Sequence, residues 1–125
     1  MGLIWAIVVH GAGIQDRDGA KLLLERARKE PALLARLERI WADGGYGGTL
    51  ETWVAEHYEC VLEIVRRSDD TKGFVVLPHR WVVERTLGWL NRWRRLSKDY
   101  EYLPGVSEHL IYLAMIAVMV RRFAV

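Results

Sequence analysis

The chain has 125 residues, 51% hydrophobic and 27% charged, with a formal net charge of +2. That hydrophobic share excludes a disordered polar segment, and the length suits a single domain with one core. The single cysteine, Cys60, excludes an internal disulfide and a Cys-rich zinc site, and beside Val61 it reads as a buried, inert thiol.

In chain order, Leu3–His10 is a continuous apolar run rich in Ile, Val and Trp, and it reads as a buried strand ended by Gly11 and Gly13. The run lacks the basic start and cleavage region of a signal peptide. Asp16 or Asp18 is expected to cap a helix from about Gly19 to Lys29, with Leu22, Leu23, Leu24 and Ala27 on its apolar face. Pro31 interrupts helical structure before a strand at Leu37–Trp41. After a glycine-rich turn, Thr49 is expected to cap a helix to about His57, with Leu50, Trp53 and Val54 packing inward. Cys60–Arg66 alternates as a half-buried strand, Ser68–Gly73 reads as a loop, and Phe74–Leu77 is an extended piece ending at Pro78.

A helix then runs from Pro78 to Leu96, with Val83, Leu87 and Leu90 inward and Trp81, Trp89 and Trp93 lateral. Pro104-Gly105 precedes a last helix, from about Val106 to Phe123. That helix is apolar almost all round, so it is buried or finds a partner, and self-association is expected. Its apolar run Leu110–Val120 falls short of the roughly 20 residues that span a bilayer. No membrane association is expected, and a cytoplasmic location follows by default. Strands alternating with helices place the chain in the α/β class.

Charge is unevenly spread. Residues 66–98 contain nine basic and three acidic residues, a net +6, which leaves −4 for the remainder. Such a band suits a face that meets nucleic acid or another polyanion, although a solvated surface would look the same. Within it, Glu84 is the one carboxylate among Arg80, Arg85, Arg92, Arg94, Arg95 and Lys98. On a continuous helix, Arg80, Glu84, Gly88, Arg92 and Arg95 share one stripe, because residues three and four apart are neighbours. Gly88 removes bulk one turn past the carboxylate. Cations that hold a polyanion beside a carboxylate that holds a metal suit chemistry on a phosphate backbone. The alternative is an ordinary exposed Arg80–Glu84 pair, contributing about 0.2–0.5 kcal/mol. The four histidines (His10, His57, His79 and His109) show no paired metal-ligand spacing.

The second candidate acid lies in Trp41-Ala42-Asp43-Gly44-Gly45-Tyr46-Gly47-Gly48. Here Ile40-Trp41-Ala42 reads as the end of a buried strand. The glycines turn the chain at once, which puts the Asp43 carboxylate at a strand's C-terminal end, where open α/β sheets bind ligands. Taken alone, the same residues are simply a turn with Asp in its usual place.

These two segments resemble the DDE transposases of bacterial insertion sequences, in the broad group of families four and five. Arg80-x3-Glu84 fits the core of that group's Tyr-x2-Arg-x3-Glu-x6-Lys signature. Its flanks, Arg80-Trp81-Val82-Val83-Glu84-Arg85-Thr86 and Arg94-Arg95-Leu96-Ser97-Lys98-Asp99-Tyr100-Glu101, are similar to the family-five version. Leu77 stands where the signature has Tyr and Asn91 where it has Lys, with Arg92 one residue later. Ala42-Asp43-Gly44-Gly45-Tyr46 resembles the group's Ala-Asp-x-Gly-Tyr motif. The resemblance covers nearly the whole chain, including Val8-Val9-His10 and Ile64-Val65-Arg66-Arg67-Ser68.

The resemblance implies an RNase H-like, retroviral-integrase-like mixed sheet with flanking helices. The group's first catalytic Asp would precede Gly2, and Asp16 and Asp18 come too late to replace it. The chain is therefore expected to be a single partial catalytic domain over residues 1–125, without the first central strand. It would be a truncated or frameshifted remnant that is inactive in isolation.

The family reaction is metal-dependent phosphodiester cleavage and strand transfer at insertion-sequence ends, with two Mg²⁺ ions held by acids. Asp43 and Glu84 would be catalytic metal ligands. Arg80 and Arg92 would orient the scissile phosphate, while Arg85, Arg94, Arg95 and Lys98 would line the DNA path. Partners would be terminal-repeat and target DNA in the bacterial nucleoid, and a second copy or a full-length transposase. Two rivals remain: a non-catalytic DNA-binding or inhibitory remnant, and an unrelated α/β interaction domain.

Overall fold

Two short segments alternate cleanly between exposed and half-buried residues, and they pair. Strand β1 (Arg39–Ala42) and strand β2 (Val61–Ile64) form a two-stranded parallel sheet, with Arg39 opposite Val61 and Ala42 opposite Ile64. Parallel neighbours need a crossover connection. Helix α3 (Thr49–His57) supplies it, burying Leu50 to 2% exposure and Val54 completely. Burial of two such side chains stabilises the unit by about 1.5–3 kcal/mol each. Upstream lie helix α1 (Asp16–Ala27) and the single-turn helix α2 (Pro31–Leu34), which Pro31 starts. Leu24 of α1 joins Leu50, Val54, Tyr58 and Cys60 in one buried cluster, with Ile40 and Leu62 of the strands packed against it.

The computed structural model describes residues 2–65, 80–98 and 100–124. The expected Ser68–Gly73 loop, the Phe74–Leu77 piece and the helix start at Pro78 lie outside the described residues. Helix α4 (Arg80–Asn91) and helix α5 (Pro104–Phe123) follow. Contacts divide the chain into two compact units, Ala12–Arg80 and Met1–Gly11 with Trp81–Val125. Where length led us to expect one core, each unit has its own. In the second unit, Leu90, Ala114 and Met115 are buried, with Leu3, Ile4, Trp89, Trp93 and Leu96 packed around them.

Several expectations are corrected. Leu3–His10 is not a strand; it has no ladder partner among the described residues. Its ends are held instead by side chains of helices. Thr86 Oγ1 donates to the Gly2 carbonyl at 2.6 Å, and Val9 N–H donates to Glu108 at 2.9 Å. Ile40-Trp41-Ala42 is buried on one face only, because Trp41 is 46% exposed beside Arg39. On that open face Glu63 accepts from Arg39 Nη1 at 2.7 Å and Trp41 Nε1 at 3.2 Å.

Asp16 and Asp18 do not cap α1; they lie in its first turn, where negative charge suits the helix dipole. Thr49 likewise begins α3, and Gly48 precedes it with φ +96. In α4, Val83 and Leu87 point outward at 59% and 54% exposure, while Trp89, and Trp93 just past the helix end, take the inward positions. Two large indole surfaces against Ala114 and Met115 decide the rotation of that helix.

Two stability effects follow. Gly48→Ala puts a side chain at a positive φ and is expected to destabilise by about 1–3 kcal/mol in urea denaturation. Among the described residues the buried Tyr58 hydroxyl has no hydrogen-bond partner, so Tyr58→Phe is expected to stabilise by about 1 kcal/mol in the same measurement.

Candidate functional site

The Asp43 carboxylate stands where the sequence places it, immediately after β1. The chain turns there into a short 3₁₀ helix, Gly44–Tyr46, and Asp43 caps it, with Gly45 N–H donating to Oδ1 at 3.0 Å. One carboxylate oxygen is thus held by the backbone in an exposed group. The turn reading and the site reading are therefore compatible: the bond that makes the turn also fixes the carboxylate.

Tyr46 closes the same turn, half-buried against the Leu24–Val54 cluster. Burial pushes its phenol above the ordinary 10.0, and the negative charges of Asp16 and then Asp43 push it further. The fold has brought the first residue of α1 beside this turn, across 27 positions of sequence. No spacing or motif announces that neighbourhood.

Glu84 lies on the exposed face of α4, one turn after Arg80. Gly88 follows one turn later, and a Cβ built there would meet nothing within 4 Å among the described residues. Arg80, Glu84 and Gly88 share a face as the spacing requires. The stripe ends there. The α-helix stops at Asn91, Trp93 adopts an extended backbone, and Arg94–Leu96 forms a separate 3₁₀ turn. The physical reason is packing: Trp93 and Leu96 both seat against the Leu90–Met115 cluster, and their burial overrides helix continuation.

The six basic groups have different surroundings. Arg80, Arg92, Arg94 and Lys98 are exposed. Arg95 is also exposed, but its guanidinium pairs with Glu101, with Nε donating at 3.0 Å. Arg85 is half-buried, with its guanidinium carbon 4.6 Å from the Trp81 ring centroid and 4.9 Å from that of Trp89. Arg122 lies over Trp89 as well, at 4.5 Å. Arg85, four residues from Trp81 and four from Trp89, thus makes a cation–π ladder with them, worth about 0.5–1 kcal/mol per contact where exposed. The sequence reading missed Arg122 and this stacking, although the Trp81-x3-Arg85-x3-Trp89 spacing carries it.

A protein-family model described as "Transposase DDE domain" matches residues 1–119. The chain belongs to this family. No curated protein and no solved structure matches it. The family is one of DNA transposition, so DNA is a partner of its members, and they generally use divalent metals. Membership sets aside the reading as an unrelated interaction domain. The mixed α/β architecture, with its small parallel sheet and flanking helices, is compatible with such a domain. Among the described residues, no helix is long and apolar enough to cross a membrane.

Among the described residues, no three His, Cys, Asp or Glu side chains gather into a group able to hold a metal ion. Asp43 belongs to the Ala12–Arg80 unit and Glu84 to the other. Both offer carboxylate oxygen, the donor that hard divalent cations prefer. Cys60 is buried, and burial raises its thiol above the ordinary 9.0, which leaves it a poor nucleophile in this transposase domain.

Tyr46 gives the turn a pH signature. Its folded value is raised, so its contribution to stability is complete below pH 10 and is lost as pH climbs through the higher folded value. Tyr46→Phe is expected to reduce the loss of stability on going from about pH 9 to 11, measured by urea denaturation at each pH.

Proposed function

We propose that this transposase domain is of the family-five insertion-sequence type, with an RNase H-like fold in which Asp43 and Glu84 serve as metal-holding catalytic acids. The supporting observation is the family match over residues 1–119, together with an exposed Asp at the carboxyl end of a parallel strand. In this reading Mg²⁺, when bound, activates the attacking oxygen and stabilises the leaving oxygen of a phosphodiester. Gly45 N–H holds the Asp43 carboxylate, so that its second oxygen stays available. Arg80 and Arg92 orient the scissile phosphate from the ends of α4, flanking Glu84 and Gly88. Arg85, Arg94, Arg95 and Lys98 meet further phosphates without reading bases.

Of these, Arg85 contributes least directly, because its guanidinium face is occupied by Trp81 and Trp89. Residues 1–125 act as part of the catalytic machinery, with terminal-repeat and target DNA as substrates. A second copy or a full-length transposase is the protein partner, in the bacterial cytoplasm at the nucleoid.

A second reading rests on the exposed basic groups Arg92, Arg94 and Lys98: the chain by itself is a DNA-binding or inhibitory element with little cleavage of its own. One experiment separates the two. Mg²⁺-dependent nicking of DNA carrying the element's ends is expected to be weak or absent. Strong cleavage that disappears in Glu84→Gln would establish the catalytic reading for the isolated chain.

Binding is expected in both cases. In filter binding across a salt series, each phosphate contact adds about 0.9 to the log–log slope on duplex DNA. Arg92→Ala is expected to lower that slope by about one contact. A flat profile in the unsubstituted chain rules out a backbone-binding role altogether.

A further inference from the structure

Helix α5 buries one face and leaves the opposite face apolar and uncovered. Ala114 and Met115 are 1% and 3% exposed, with Ile111 packed beside them. About 180° around the helix axis run Val106, Leu113, Ile116, Val120 and Phe123, exposed by 40, 60, 51, 59 and 86%. Their positions alternate in steps of three and four once His109 is included, which is the seam of a coiled coil sustained along the whole helix. His109 Nδ1 donates to the Gly105 carbonyl at 2.5 Å, so part of its polarity is satisfied within its own turn. The flanking positions Tyr112, Ala117 and Met119 carry no charge, so nothing beside the seam repels a second apolar helix.

We propose that this seam is a homodimer interface in which two copies of α5 pack antiparallel. The sequence is self-complementary in that register. Leu113 faces Ile116 of the other copy, His109 faces Val120, and Val106 faces Phe123, so each layer sets unlike partners together and a two-fold axis passes through the centre. The smallest exposed side chain then meets the largest at both ends. A parallel pair would instead set His109 against His109 and gather two Arg121-Arg122 pairs at one end. Antiparallel packing separates those arginines by about 20 Å along the axis and opposes the helix dipoles.

The five apolar side chains offer on the order of 500 Å² per copy. Two copies therefore bury on the order of 1,000 Å², the threshold for a specific interface. The inference gives a surface and a geometry to the second-copy partner proposed above, and it is tested without DNA, so it stands or falls separately from the nuclease reading.

The test is sedimentation equilibrium of the full chain across a concentration series, with circular dichroism to verify helix content. The unsubstituted chain is expected to dimerise. Leu113→Glu, at an exposed position, is expected to weaken the dimer at least tenfold with helix content unchanged, and Ile116→Lys gives the same reading should the first variant not fold. The double variant Leu113→Glu/Ile116→Lys sets Glu opposite Lys in the antiparallel register and is expected to recover the dimer. An unsubstituted chain that stays monomeric, leaving the seam to another segment or partner, overturns the proposal. So does a dimer indifferent to both single changes, or a double variant that remains monomeric.

Discussion

The first unit depends on a single constraint: two parallel strands of four residues cannot be joined by a hairpin. They require a chain that leaves one strand, crosses the sheet and returns in the same direction. Helix α3 meets the requirement only because Leu50 and Val54 face the sheet and are sealed there. Everything that makes Asp43 interesting descends from that crossover. The turn after β1 must redirect the backbone at once toward α3, and the Asp43 cap and the positive φ of Gly48 are the means by which it does so. A carboxylate at the end of a parallel strand is thus a by-product of closing the crossover. It is also the position at which an α/β protein can present an acid to solvent without burying an uncompensated charge.

The arginine-rich segment follows a different logic. Its residues look interchangeable as a string of charges, but the fold sorts them by what lies four residues away or across a turn. Arg85 finds indoles on both sides, Arg95 finds Glu101, and Arg80, Arg92, Arg94 and Lys98 keep exposed side chains. A basic band therefore overstates the charge that a polyanion would meet directly. Arg85 and Arg122 bind their own tryptophans, stiffening the face of α4 that carries them, and Arg95 fastens the turn after α4 to the segment leading into α5. Arg92, Arg94 and Lys98 are exposed on the segment that follows α4.

The two acids illustrate what a family signature captures. The Ala42-Asp43-Gly44-Gly45-Tyr46 motif was readable because strand end, cap and turn are local, and each is specified within five residues. Arg80-x3-Glu84 was readable because helical spacing fixes which side chains are neighbours. Family membership, shown over residues 1–119, is consistent with both. Neither motif contains information about Asp16, which reaches the Asp43 turn only through the packing of α1 against the Leu24–Val54 cluster.

By itself the sequence determined the α/β class, the positions of α1, α3 and α5 to within a few residues, the existence of α4, both sheet strands, the inward Leu50 and Val54, and the Asp43 turn. These rest on short-range rules: periodicity, proline and glycine punctuation, and alternation. Tertiary structure decided the rest. Leu3–His10 has the composition of a strand, but a strand exists only with a neighbour to bond its backbone, and here helices α4 and α5 hold it instead. The arginine helix had no local reason to stop at Asn91. It stops because Trp93 and Leu96 gain more by entering the core than by continuing the coil. Which face of α4 turns inward was likewise settled by indole volume against Ala114 and Met115. Local pattern proposes such elements; competition among large side chains for one buried space selects their limits and orientation.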